Sequence, residues 1–408
     1  MFGSELRGFE TIATESTMDR VRIIHVVHSL GTGGTEEGVR KLLVGLDSRR
    51  FEQIVCSVAP APAIEPRSGA RVISLGHIAD KKGFFIRKLE HIFRRECPDI
   101  VHSRNWGAIE AIPAARLAGV KAVIHSEHGL EASMHRRQPL RRNVVRRLCF
   151  CLADRVFTVS LGLRAFYVEQ LRIPADRILV LPNGVDIDRF RLQLEARSAM
   201  RQALNVSPET LVVGIVGRLD LVKDHRTLFE GVERVVSEGL PLRLIIVGNG
   251  PERMALEEHV RRRSLISSRT TFVGETSDVA LQLNSFDVFA LPSLAEGMSN
   301  ALLEAMAVGV APVATRVGGN SELIEEGVSG LLFEVGDAKT LADHLRVLAS
   351  DAELRRSLGL NARKRVEHAF SLRRMLNNYA CLYEETIGNG KADSATLNSV
   401  PAVRAWSE

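Results

Sequence analysis

The feature that most limits what this chain can fold into is an alternation that runs, stops and starts again. Short runs rich in β-branched residues at 21–27, 54–58, 71–75, 100–102, 122–125 and 156–159 are separated by stretches with helical periodicity. Strands alternating with helices build a parallel sheet covered on both faces. A turn signal at Pro182-Asn183-Gly184 interrupts the pattern. It resumes with strand-like runs at 211–216, 242–247, 271–273, 288–291, 312–315 and 331–333. At about 100–200 residues per domain, a chain of 408 residues accommodates two such units. The expected class is α/β: two doubly wound domains at 21–185 and 186–370, facing each other across a cleft at the carboxyl ends of their strands. A final helix at 371–387 is expected to pack back onto or near the first unit. Residues 1–20 read as an unstructured leader, with Met18 a second candidate start, and 388–408 as a tail.

Composition narrows the function classes. Lys and Arg number 54 against 49 Asp and Glu, a formal charge of +5. That is too mild to indicate a nucleic-acid partner, and none is expected. The five cysteines, Cys56, Cys97, Cys149, Cys151 and Cys381, are odd in number and scattered. They read as reduced thiols of a cytoplasmic protein, with Cys149 and Cys151 as core residues rather than metal ligands. No apolar run approaches the ~20 residues of a membrane span, and the first 20 residues lack the apolar centre of a signal peptide.

Four segments carry groups suited to chemistry. Residues 293–304, SLAEGMSNALLE, follow a strand and open a helix near Ser299. The backbone N–H groups of Ser299, Asn300 and Ala301 would be helix donors able to bind phosphate. Glu296 and Glu304 are carboxylates suited to neighbouring hydroxyls of a sugar or ribose; the plainer alternative is a capping acid and a surface glutamate. In residues 213–223, VGIVGRLDLVK, Gly217 ends a strand and precedes Arg218, with Lys223 five residues on. Two cations there could neutralise a departing diphosphate, or be solvated loop charges. In the turn at 31–35, Gly33 and Gly34 permit close approach to phosphate. That turn is not a dinucleotide fingerprint, because Glu36 stands where Gly or Ala is needed. His128, after the fifth strand, sits at a cleft edge, where a structural or simply exposed role is the alternative.

Together these segments resemble glycosyltransferase family 4, whose two Rossmann-like domains form the GT-B arrangement. The resemblance runs from Val21 to Ile387 and rests on the E-x7-E motif at Glu296 and Glu304, on Gly318-Gly319, Glu322 and Gly327 downstream, on PNGVD at 182–186, and on GRL with Lys223. HSRNWGAIEA and IHSEHG are most similar to sugar transferases found with bacterial exopolysaccharide export systems. The resemblance implies a nucleotide-sugar donor and retention of anomeric configuration. It places Arg218 and Lys223 on the donor diphosphate, Glu296 on the transferred sugar, Glu304 on the ribose, Gly33 and Gly34 near the donor phosphates and His128 on the donor sugar. The base would lie near 272–274. Glu127 would orient His128 or the acceptor. No cofactor or metal is implied, and the D-x-D at Asp186 and Asp188 reads as structural because it lies at the hinge. An epimerase, a phosphorylase or a non-catalytic nucleotide-sugar scaffold would use much the same binding groups.

Six arginines and no acid occupy residues 135–147. Val144, Val145, Leu148 and Leu152 share one helical face, with Arg142, Arg146 and Arg147 largely opposite. The arginine face is either solvated or turned to an anionic partner: a membrane surface, or a glycan acceptor carried on a lipid pyrophosphate. The expected location is the cytoplasm, peripheral to the membrane's inner face.

Overall fold

The computed structural model describes residues 20–388 apart from 32, 61–69, 77–81, 130–138 and 208. The leader, Thr32 of the glycine turn, Arg136 and Arg137, and the tail beyond Gly388 lie outside the described residues. The first sheet contains β1 (Val21–Val27), β2 (Phe51–Ser57), β3 (Arg71–Ser74), β4 (Ile100–Arg104), β5 (Ala122–Glu127), β6 (Arg155–Thr158) and β7 (Ile178–Val180), in the order 3-2-1-4-5-6-7. The second contains β8 (Leu211–Val216), β9 (Leu242–Val247), β10 (Thr270–Gly274), β11 (Val288–Leu291), β12 (Ala311–Thr315) and β13 (Leu331–Phe333), in the order 10-9-8-11-12-13. Every strand pairing is parallel. The fold is the expected pair of Rossmann-like units.

Covered sheets bury their strands on both faces, and β5 and β8 are buried at every residue. In each sheet the strand order reverses once, between β1 and β4, where Ile23 lies opposite Ile100, and between β8 and β11, where Val213 lies opposite Val288. The loops leaving these four strands at their carboxyl ends border the crevice where doubly wound folds bind ligands.

The helix Leu372–Gly388 lies on the first sheet, although it follows the last strand of the second. Its Met375, Tyr379 and Tyr383 share a core with Ile23, Ile124 and Phe157. The outgoing and returning chains are tied together where they cross between the units. Val185 N donates to Phe370 O at 2.9 Å, and Leu372 N donates to Val185 O at 2.8 Å. No helix among the described residues is long and apolar enough to cross a membrane.

Three local expectations are corrected. The first sheet has a seventh strand, β7, just before the Pro182-Asn183-Gly184 turn. Gly388 ends the last helix rather than starting a tail. Cys151 is exposed, whereas Cys149 is buried.

Candidate active site

Two loops of the second sheet meet at its switch point. The loop leaving β8 carries Gly217 and Arg218 and ends in a short 3-10 turn, Leu221–Lys223. The loop leaving β11 carries Ser293 and Glu296. Leu294 N donates to Val222 O at 2.8 Å and joins the two. Lys223 Nζ donates to Glu296 Oε1 at 2.5 Å, and Ser293 Oγ donates to the same oxygen at 2.7 Å. The pair is largely shielded, with 18% of the Lys223 side chain and 11% of the Glu296 side chain exposed. A preorganised cation and carboxylate thus stand together at the strand ends.

A cavity of about 580 Å³ opens beside them and is lined from both units. Gly217, Arg218, Gly248, Asn249, Glu275 and Thr276 contribute from the second, and Ser29, Gly31, Gly33 and Glu36 from the first. Gly33, Gly217 and Arg218 were singled out in the sequence and come together here. Gly248 and Asn249 were missed. Their signal was a Gly-Asn-Gly-Pro run at the end of an apolar strand. Gly248 has φ +136, and a Cβ there would fall 1.9 Å from Gly217 O, so only glycine fits this floor.

Ser299 caps the helix Asn300–Val308 by accepting from Leu302 N at 3.2 Å, and the start of that helix borders the first unit. Asn300 Nδ2 reaches across to Gly34 O at 3.2 Å, and the neighbouring Ala301 is half-buried. One turn on, Glu304 faces Lys41, Glu37 and Arg189. Burial pushes the Glu304 carboxyl up to about 7, a rise that Lys41 only partly offsets. Burial also lowers the pKa of Lys41, whose Nζ donates to Gly184 O at 2.8 Å.

On the other wall, His128 follows β5. Its N–H donates to Asn105 Oδ1 at 2.7 Å, and its Nε2 is 2.8 Å from Ser126 Oγ. Ser126 Oγ in turn lies 2.9 Å from His102 Nε2, and His102 Nδ1 lies 2.9 Å from Tyr383 OH. Burial, reinforced by the Arg104 cation, depresses the His128 pKa to about 3, so its imidazole is neutral at physiological pH. The backbone of His128 packs against the Glu296 loop: a Cβ on Gly297 would stand 2.2 Å from His128 O. Asn183 Nδ2 also donates to Met298 O at 3.2 Å. The structure therefore brings His128 and Glu296, 168 positions apart by subtraction of their numbers, to facing loops.

Glu127 is held by different partners. Arg146 Nε donates to its Oε1 at 2.9 Å, and His125 Nε2 lies 3.4 Å away. Burial drives the Glu127 pKa up, but Arg146, His125 and Tyr167 together outweigh it and leave the pKa below its ordinary value. This pairing overturns the expected orientation of the helix Leu140–Leu152. Arg146 is 1% exposed, its guanidinium lying 5.0 Å from the Trp106 ring centroid and 5.1 Å from that of Tyr167. Arg142 stacks over Trp106 at 4.4 Å. A buried carboxylate requires a cation, and that requirement turns the arginine face inward; of the three arginines expected outside, Arg147 is the exposed one.

Asp186 Oδ1 accepts from Asp188 N at 3.1 Å and Arg189 N at 3.0 Å, so this carboxylate closes a turn. Among the described residues no group of three or more His, Cys, Asp or Glu is placed to hold a metal ion.

A family model described as Glycosyltransferase Family 4 matches residues 32–189, and one described as Glycosyl transferases group 1 matches residues 210–351. The chain is 28% identical over 327 residues to an Escherichia coli UDP-Gal:alpha-D-GlcNAc-diphosphoundecaprenol alpha-1,3-galactosyltransferase, covering 78% of this chain and 82% of that one. It is 30% identical over 307 residues to a D-inositol 3-phosphate glycosyltransferase of Saccharomonospora viridis, covering 71% and 70% respectively. Among solved structures, Anabaena HepE in complex with UDP and glucose superposes with a TM-score of 0.80 at 20% identity, over 90% of this chain and all of that one.

Proposed function

This chain belongs to glycosyltransferase family 4, and on that premise we propose that it moves a sugar, with retention of anomeric configuration, from a nucleotide-diphosphate donor to a glycan or lipid-pyrophosphate acceptor in exopolysaccharide synthesis. The observation that carries the reading is the cavity between the strand ends of two facing sheets, lined by Arg218 and flanked by the Lys223–Glu296 pair. The Escherichia coli relative is named for a diphosphoundecaprenol-linked acceptor, which supports the acceptor class. HepE was solved with UDP, so uridine nucleotides are the first donors to test. The reading divides the chain into an acceptor-side unit at 21–185, a donor unit at 186–370 and a helix at 371–387 that returns to the first.

In this scheme the donor diphosphate rests against Arg218 and Lys223, with the backbone of Gly33, Gly34 and Gly217 and the helix start at Ser299, Asn300 and Ala301 close to its phosphates. Glu304 takes the two ribose hydroxyls. Glu296 takes hydroxyls of the sugar, and neutral His128 contacts the sugar from the opposite wall. The base lies near Phe272–Gly274, beside Glu275 and Thr276. The acceptor hydroxyl forms its bond to the anomeric carbon on the face from which the diphosphate departs. The anomeric carbon–oxygen bond breaks, its electron pair stays with the phosphate, and the hydroxyl proton passes to that leaving oxygen. Negative charge grows on the departing phosphate, where Arg218, Lys223 and the helix start stabilise it. The chain's own groups and the donor suffice for this chemistry, with no cofactor.

Incubating the enzyme with a nucleotide sugar and a polyprenyl-diphosphate-linked sugar tests the proposal. The expected result is nucleoside-diphosphate release matched by an elongated product with the donor's anomeric configuration. Tight nucleotide-sugar binding with no product on any such acceptor would identify a binding scaffold, and epimerised free donor would identify an epimerase.

A further inference from the structure

The hydrogen bonds behind His128 determine where its proton sits. His25, His102, Arg104, Ser126 and Tyr383 are each at most 1% exposed, so a proton among them that lacks an acceptor is costly. Gln53 Nε2 donates to Leu42 O, which leaves Gln53 Oε1 to accept from His25 Nε2 at 3.0 Å. His25 Nδ1 then accepts from Arg104 Nη1 at 3.1 Å, since a guanidinium has no lone pair to offer.

Arg104 also faces the Tyr383 hydroxyl. A cation there draws the lone pairs of the phenol oxygen toward itself and turns the proton away. Among the described residues the hydroxyl has one acceptor, His102 Nδ1 at 2.9 Å. Tyr383 therefore donates to His102, and His102, kept neutral by burial, carries its proton on Nε2. That N–H donates to Ser126 Oγ at 2.9 Å, so the serine proton goes on to His128 Nε2 at 2.8 Å. Reversing these bonds would point the Tyr383 proton at the Arg104 cation. A neutral His128 whose Nε2 accepts must hold its proton on Nδ1, an atom bonded to no described group.

We propose that Arg104, Tyr383, His102 and Ser126 are positioning residues that hold His128 in its Nδ1–H tautomer, so that it gives a hydrogen bond to an oxygen of the bound sugar. The sugar contact rests on the proposed function, whereas the tautomer does not.

The full chain is labelled with nitrogen-15 in histidine, and long-range proton–nitrogen correlations of the rings are recorded at pH 7 without ligand. His25→Gln, His102→Gln and His128→Gln assign the signals. His128 is expected to show a protonated Nδ1 and a bare Nε2, and His25 and His102 the opposite. Tyr383→Phe removes the relayed proton and should give mixed tautomers at both His102 and His128. Ser126→Ala should do so at His128 alone. Tyr379→Phe, on the same helix and in the same core, should change none of the three. In transfer assays Tyr383→Phe and Ser126→Ala should lower kcat/KM for the nucleotide sugar about tenfold with nucleoside-diphosphate affinity unchanged. A wild-type His128 protonated on Nε2, or a His128 tautomer unchanged in both variants, would overturn the relay. A wild type with these tautomers but no transfer would uphold the relay and count against the proposed function alone.

Discussion

At the scale of single residues, Glu304 sets the most specific expectation. Its carboxyl, pushed up to about 7 by burial, keeps a proton in the folded chain over a range where the unfolded chain has lost it. Folding is therefore penalised progressively as pH rises from the ordinary carboxylate value of 4.5 toward 7, and the full penalty remains above that. Glu304→Gln should melt higher than wild type at pH 8, with the difference shrinking by pH 5. The same change should weaken nucleoside-diphosphate binding by about tenfold, because a carboxylate accepting two hydroxyls is worth more than an amide. A variant that melts and binds like wild type would remove Glu304 from the site. Glu296→Gln should lower the transfer rate by about 10²–10³ while leaving nucleotide affinity nearly intact, since its hydroxyl contacts matter most as charge develops; single-turnover kinetics beside calorimetry separates the two effects. Both glutamates were singled out in the sequence by the resemblance of their E-x7-E spacing to the family's motif, since spacing alone leaves a capping acid and a surface glutamate as the plainer reading. Lys41 and Glu37 were not, because they reach Glu304 only through folding.

At the scale of elements, the helix Leu140–Leu152 shows where sequence reading stops. Periodicity tells which side chains share a face but not which face turns inward. The deciding partner, Glu127, lies on β5, beyond the reach of any helical pattern. Arg146→Met should cost about 3–5 kcal/mol by stranding that carboxylate, which corresponds to roughly 10 °C in melting temperature. Adding Glu127→Gln should recover much of the loss, and a double-mutant cycle reads the coupling. Independent losses that simply add would argue against the pair. The strands of the second sheet were legible because each is a short run of mostly apolar or β-branched residues set off by turn residues. β7 was not: its three residues lead straight into the Pro182-Asn183-Gly184 turn, which masks them.

At the scale of the whole molecule, the first unit depends on the helix Leu372–Gly388, which follows the second unit in the chain. Its Tyr383 meets His102 in the centre of the sheet, with His25 beside them. Burial holds His25 and His102 well below the ordinary imidazole value of 6.5, Arg104 adding to the effect, and His128 at about 3. As pH falls below 6.5 the unfolded chain takes up protons that these buried rings refuse, so stability should drop steadily between pH 7 and 5. A melting temperature that is flat or rising across that range would contradict the buried network.

On the proposed function, the second unit grips a nucleotide diphosphate at its strand ends. Calorimetric titration of uridine and guanosine diphosphates and their sugars into wild type, Arg218→Ala and Lys223→Ala tests it most directly. Selective binding of one base series by the wild type is expected, weakened at least about tenfold in each variant. Wild-type affinity retained in both variants, or no nucleotide binding at all, would contradict it.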